Sequence, residues 1–160
     1  MQYTLKSTYV IDKETKIMLD QVKHLHIERG VIYLYVLKLE CEKYYVGIST
    51  MPQQRILSHY AGNGSKWTGV YKPKSIHYLV KFNSKDIKGY ENLHTKKLVD
   101  EFGEDNVRGG AYLSVNHSEK QYSTMISYAE EAELSGDDAG VTLIGSTKPS
   151  FISRLIQSIK

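Results

Sequence analysis

Val31-Ile32-Tyr33-Leu34-Tyr35-Val36-Leu37-Lys38-Leu39, then Glu40-Cys41-Glu42-Lys43, then Tyr44-Tyr45-Val46-Gly47-Ile48, is the stretch whose reading decides the fold. Apart from Lys38 the first nine residues are apolar, β-branched or aromatic, the composition of a central strand covered on both faces. The polar four turn the chain, and the last five read as an antiparallel partner. The hairpin presents two tyrosines, Tyr33 and Tyr45.

Downstream, Ser49 or Thr50 followed by Pro52 is a helix-start signal, with a helix over Gln53–Tyr60 closed by Ala61-Gly62-Asn63-Gly64. Arg55 and His59 stand four apart on it and share one face. Ser75–Phe82 predicts a third strand. Asn83 or Ser84 can cap a helix that carries Glu91 and runs to about Phe102, where Gly103 ends it. Val107–Tyr112 is extended and holds a glycine pair. A further helix is expected from about Ser114 to Leu134, then a linker over Ser135–Gly140, a short strand over Val141–Ile144, and an amphipathic helix over Phe151–Lys160. Upstream, residues 2–11 and 16–28 read as a hairpin turning at Asp12–Thr15, the second half being compatible also with a helix near Leu19–Val22.

A chain of 160 residues is long enough to bury a core as one compact body. Three parts are expected within it: a β-rich extension over 1–29, a core over 30–112, and a C-terminal extension over 113–160 that contains an acidic stretch. Thirteen tyrosines against three phenylalanines fit strand-rich structure and, in part, base stacking. A single cysteine, Cys41, excludes an internal disulfide and a cysteine-rich metal site. The absence of a membrane-length apolar run or a signal-peptide pattern leads to the expectation of a soluble, intracellular protein.

The net charge of +3 conceals a segregation. Residues 44–97 hold 9 Lys/Arg against 2 Asp/Glu, whereas residues 98–160 hold 5 against 10. The basic middle would attract a polyanion.

Taken together, Tyr33, Tyr45-Val46-Gly47, Arg55, His59, Glu91 and Asn106 resemble, in order and spacing, the catalytic module of the GIY-YIG endonuclease family over residues 30–112. Val31 stands where the family name has glycine, with Gly30 just before, and Val46 replaces isoleucine. Neither change touches a catalytic side chain. The run from Arg55 through Gly62-Asn63-Gly64 to Lys66-Trp67-Thr68 looks like the family's small bacterial members. Asp105–Gly110 resembles a segment of viral and eukaryotic relatives and tilts the expected origin toward a phage or virus.

What the resemblance implies is a small α+β fold, a mainly antiparallel three-stranded sheet flanked by helices, with an N-terminal hairpin and a helical C-terminal extension. It also implies a metal-dependent endonuclease acting on nucleic acid, DNA before RNA, with Mg²⁺ or Mn²⁺. Tyr33 would be the general base or its partner, Tyr45 would position water or phosphate, and Arg55 would stabilise the transition state. His59 would assist proton relay, Glu91 would bind the metal, and Asn106 would support the site. Lys66 and Thr68 are candidates for phosphate contact, and Trp67 for base stacking or packing. The chemistry suits these residue types: a carboxylate holds a hard cation, a guanidinium matches phosphate geometry, and nearby positive charge favours a phenolate. His24 and His26 alternate like strand residues and are not expected as ligands, and His94, three after Glu91 on the same helix face, reads as structural ahead of a contact that supports Glu91. The C-terminal extension is open to a protein partner or to self-association. The alternative reading is a catalytically silent nucleic-acid-binding or protein-interaction module on the same scaffold.

Overall fold

The computed structural model of the chain describes residues 11–82, 88–135 and 140–145. All but the last residue of the strand expected over residues 2–11, the helix cap at Asn83 or Ser84 and the closing helix Phe151–Lys160 lie outside them. The elements run α1 (Lys13–Lys23), β1 (Ile32–Leu39), a single 3-10 turn (Glu40–Glu42), β2 (Lys43–Ser49), α2 (Pro52–Tyr60), α3 (Lys66–Val70), β3 (Pro73–Phe82), α4 (Lys88–Phe102), β4 (Val107–Gly109), α5 (Glu119–Ser135) and β5 (Gly140–Gly145).

The sheet is mixed and five-stranded, in the order β4-β2-β1-β3-β5, rather than antiparallel and three-stranded as expected. The three antiparallel strands of the expectation are its centre, with β1 between β2 and β3. The additions are at the edges. Val107–Gly109 is a strand of only three residues, parallel to Tyr44–Val46 and too short to show an alternation. Gly140–Gly145 returns from the C-terminal extension to pair antiparallel with β3.

β1 is buried on both faces, which is why its sequence is apolar without alternation. Leu34 and Val36 point into one layer with Tyr44, Val46, Val80, Phe82, Leu93, Leu98 and Val99. Met125 and Ala129 of α5 complete that layer, so the C-terminal extension supplies part of the core. Tyr33, Tyr35, Leu37 and Leu39 point the other way, against Tyr45, Ile56, Trp67, Leu79 and the α1 residues Met18 and Val22.

The second strand of the expected N-terminal hairpin is a helix. Asp12 caps it, accepting a hydrogen bond of 2.8 Å from Thr15 N through Oδ1, and Thr15, Met18 and Val22 form its buried face. Asp12 is also paired with Lys74 at 3.1 Å, which ties the helix start to β3. Spacings of three and four between the buried residues are helical, and the residues taken for a turn are the cap and first turn. α5 starts later than expected. Ser118 Oγ accepts from Gln121 N, and the stretch before it is held as a loop by Gln121 Oε1, which accepts from Leu113 N and Ser114 N. α3 was not expected at all, though Ser65 and Thr68 form the capping box that starts it.

The β1–β2 turn carries backbone strain. Cys41 has φ 61° and Glu42 φ 57°, left-handed values that side chains with a Cβ rarely adopt. The paired substitutions Cys41→Asn and Glu42→Gly supply residue types suited to that conformation and remove only a 3.8 Å surface ion pair between Lys38 and Glu42. The double variant is expected to be more stable by about 1 kcal/mol, read from the urea midpoint at unchanged slope.

Candidate active site

Alternation on a strand places Tyr33 and Tyr35 on the same face, so the pattern alone does not choose between them. The hairpin register does. Tyr35 lies opposite Gly47 and Tyr33 opposite Ser49. A Cβ on Gly47 would stand 2.4 Å from the Tyr35 hydroxyl oxygen, so the phenol occupies the space that the glycine leaves open. From there the Tyr35 hydroxyl reaches His59 Nε2 at 2.8 Å. Tyr33 turns elsewhere: its hydroxyl accepts a 2.8 Å hydrogen bond from Glu28 N and fastens the segment leading into β1. Tyr33, expected to do chemistry, thus has its hydroxyl on Glu28 N, and Tyr35 is the tyrosine that lies beside Tyr45 and His59.

α2 supplies the next two groups. Pro52 sits in its first turn and Ser49 Oγ accepts from Met51 N at 2.9 Å, setting the helix start directly after β2. Arg55, half-buried, and His59, fully buried, stand four positions apart. The His59 ring lies 4.8 Å from the Tyr45 ring and 5.6 Å from the Tyr35 ring, centroid to centroid. Burial, and then the charge of Arg55, lower its pKa to about 4, so the imidazole is neutral at pH 7.

Glu91 comes from the first turn of α4. Its Oε1 accepts from Gly110 N at 3.1 Å, and the adjacent Asn92 Oδ1 accepts from Ala111 N at 2.9 Å. Gly110 has φ 55°, and a Cβ there would meet Asn92 Oδ1 at 2.2 Å. The glycine pair after β4 thus forms a tight turn whose amides orient Glu91. Burial raises the Glu91 carboxyl to about 6, against the lowering effect of the Gly110 N–H. The Tyr35 phenol is pushed well above its usual range by burial and then by Tyr45, and the charges of Arg55 and Glu91 both act on it. Tyr45 is raised in the same way, by burial and then Glu91, with Arg55 opposing. Two phenols, an imidazole, a guanidinium and a carboxylate thus share one electrostatic environment.

This constellation coincides with a match of the GIY-YIG catalytic domain to residues 30–102. A UPF0213 protein of Neisseria meningitidis serogroup A is 37% identical over 66 residues, which are 41% of this chain and 72% of that protein. The chain belongs to the GIY-YIG family. A UPF0213 protein of Neisseria gonorrhoeae is 35% identical over 66 residues, 41% of this chain and 72% of its own length. One of Staphylococcus haemolyticus is 30% identical over 77 residues, 43% of this chain and 94% of its own length. These relatives are bacterial. No solved structure matches the chain. GIY-YIG domains belong to endonucleases, which assigns this domain to nuclease chemistry in general. No helix among the described residues is long and apolar enough to cross a membrane.

Other residues singled out in this GIY-YIG chain are not at the chemical centre. Trp67 is 2% exposed, donates from Nε1 to Tyr44 O at 2.9 Å, and packs rather than offering a stacking face. Thr68 is buried against His59 and Ser65, so it is not placed for phosphate contact. Lys66, exposed at the start of α3, remains accessible to a phosphate. Asn106 closes α4 and begins β4: Nδ2 donates to Phe102 O at 2.7 Å, Oδ1 accepts from Lys43 Nζ at 2.8 Å, and its carbonyl accepts from Tyr44 N. His94 is buried, 2.6 Å from the Tyr78 hydroxyl, as expected of a structural histidine. His24 and His26 are exposed.

Sequence reasoning missed Tyr35 and Arg108. The signal for Tyr35 was the glycine opposite it, legible only once the hairpin register is counted from the turn. Arg108 is buried between the rings of Trp67 (4.4 Å) and Tyr112 (4.0 Å), and donates to the carbonyls of Ser114, Glu104, Val107 and Val115. Nothing in its sequence neighbourhood distinguishes it from a surface arginine.

The packing of Tyr35 on Gly47 is open to a direct test. Gly47→Ala is expected to destabilise the chain by about 1–3 kcal/mol through overpacking. It should also move the Tyr35 and His59 ring resonances, whereas Gly62→Ala, with open space around its Cβ but φ 88°, should leave those resonances in place.

Proposed function

We propose that this chain is a divalent-metal-dependent endonuclease that hydrolyses phosphodiester bonds, in DNA before RNA, through Tyr35, Tyr45, Arg55, His59 and Glu91. One observation carries the reading: the hairpin and α2 bring Tyr35, Tyr45 and His59 into contact, within the reach of the charges of Arg55 and Glu91. The preference for DNA follows the family resemblance and the basic middle segment.

The donor set fits a hard cation. Glu91 is a half-buried carboxylate with one oxygen held by Gly110 N–H, and Arg55 is the cationic side chain acting on the two raised phenols beside it. Glu91 would hold Mg²⁺ or Mn²⁺, which when bound neutralises charge on a phosphate and favours phenolate over phenol. Arg55, half-buried and therefore reachable, binds non-bridging phosphate oxygens with its fork of donors and stabilises the charge that grows on them. Tyr35 takes the proton of the attacking water, and His59 holds the Tyr35 oxygen from its other side. Tyr45 orients water or phosphate between Arg55 and Glu91. Lys66 offers a further contact along the strand.

A nicking assay with Mg²⁺ or Mn²⁺ tests the reading. Tyr35→Phe is expected to lower the single-turnover rate by about 100-fold or more, the scale of a lost general base. Glu91→Ala should abolish cleavage and Tyr33→Phe should leave the rate close to wild type. A wild-type chain that binds duplex, branched and single-stranded DNA and RNA but cuts none of them would instead be a binding module.

Metal affinity should carry the signature of the raised carboxyl. With Glu91 near 6, a proton competes with the cation: Mn²⁺ affinity is expected to be flat above about pH 7 and to fall about tenfold per pH unit below about 6. Calorimetry between pH 5 and 8 measures this, and Glu91→Gln should lose both the binding and its pH dependence.

A further inference from the structure

Thr68, 1% exposed, lies against His59, 0% exposed, with Oγ1 2.8 Å from Nδ1. The backbone N–H of Ser65 is directed at the same place, 3.4 Å from His59 Nδ1 and 3.2 Å from Thr68 Oγ1. Both residues are fixed by the capping box of α3, in which Thr68 N donates to Ser65 Oγ at 3.1 Å. Gly64 lets the ring approach this close, since a Cβ there would stand 2.1 Å from His59 Nδ1. On the opposite edge of the imidazole, Nε2 meets the Tyr35 hydroxyl at 2.8 Å.

The tautomer follows from these directions. The Thr68 hydroxyl has two acceptors in reach, Nδ1 at 2.8 Å and the Ser65 carbonyl at 3.2 Å, and the shorter contact is to the ring nitrogen; the amide hydrogen of Ser65, shared between Thr68 Oγ1 and Nδ1, also favours a lone pair on Nδ1. A neutral imidazole carries a single N–H, which is then on Nε2 and donates to the Tyr35 oxygen. We propose that Thr68, held by Ser65, is a positioning residue that sets the His59 tautomer, so that Nε2–H donates to the Tyr35 oxygen and stabilises the phenolate that takes the proton of the attacking water, the phenol's own proton having passed to bulk solvent beforehand. The inference rests on the reading of Tyr35 as the base of a nuclease, and it gives the Gly64–Thr68 stretch a part in the chemistry instead of a direct phosphate contact. The purely structural alternative, a helix cap that happens to touch a histidine, makes no demand on which ring nitrogen carries the hydrogen.

The test is the two-bond ¹H–¹⁵N correlation of the His59 ring in the full ¹⁵N-labelled chain, compared for wild type, Thr68→Val and Thr68→Ser. The expected result is Nε2–H in wild type and Thr68→Ser, and a mixture with substantial Nδ1–H in Thr68→Val. The single-turnover rate should fall about tenfold or more in Thr68→Val, the scale of a lost partner behind a functional imidazole, and recover in Thr68→Ser. A wild-type ring protonated on Nδ1, or a Thr68→Val ring that keeps the wild-type tautomer, overturns the proposal. If Thr68→Val does not fold, Thr68→Ala, which also removes the hydroxyl, is read in its place, and a wild-type ring protonated on Nδ1 overturns the proposal in either case. Because the spectrum needs no turnover, a chain that cuts nothing while its tautomer follows residue 68 refutes the nuclease reading and leaves the positioning role standing.

Discussion

The Tyr35 phenol lies where a side chain on Gly47 would be, and much of the molecule follows from that one contact. A shift of the β1–β2 pairing by a single residue would put a Cβ under the ring and turn every strand side chain to the opposite face. Because the contact resists such a shift, Tyr45 falls on the same face two residues before the glycine, and the two rings lie 6.4 Å apart. The hydroxyl then dictates where α2 docks, since His59 must reach it with Nε2 while its ring fits beside Tyr45. Arg55, one turn earlier on the same helix, is carried to the site by that docking.

A second clamp joins the parts that the hairpin does not reach. Arg108 connects Trp67 of α3 to Tyr112 and the loop before α5, stacked between the two rings with its donors on backbone carbonyls. Desolvating a guanidinium is costly, and burial lowers its pKa, yet its planar fork satisfies several carbonyls at once and its faces meet two π-systems. Lysine, a point charge without that plane, cannot reproduce the arrangement. Through Trp67 this clamp holds the short helix that carries Thr68, and through the β4 end it holds the turn that carries the Gly110 amide. The positions of both the imidazole and the carboxylate therefore depend on a residue that touches neither.

Burial moves the ionisable groups of the site in directions that suit phosphate chemistry. His59 is kept neutral, the Glu91 carboxyl is raised to about 6, and both phenols are held above their usual range. Arg55 alone does not bring the phenols down.

The sequence by itself determined the central strand, the helix carrying Arg55 and His59, the helix carrying Glu91, and the family to which their order belongs. Those features depend on local periodicity, capping and turn chemistry, which a linear reading contains. It could not choose Tyr35 over Tyr33, because both occupy the same face and only pairing with Gly47 separates them. Nor did it show β4 and β5 as strands of one mixed sheet, since a three-residue strand and a strand after a linker are defined by partners distant in the chain. The N-terminal helix was compatible with the sequence only near Leu19–Val22, because its cap at Asp12–Thr15 resembles a turn. Trp67, Thr68 and Arg108 took their roles from burial and from rings and carbonyls supplied by other elements, so only the tertiary structure decided that the first packs, the second holds the histidine and the third binds the layers together.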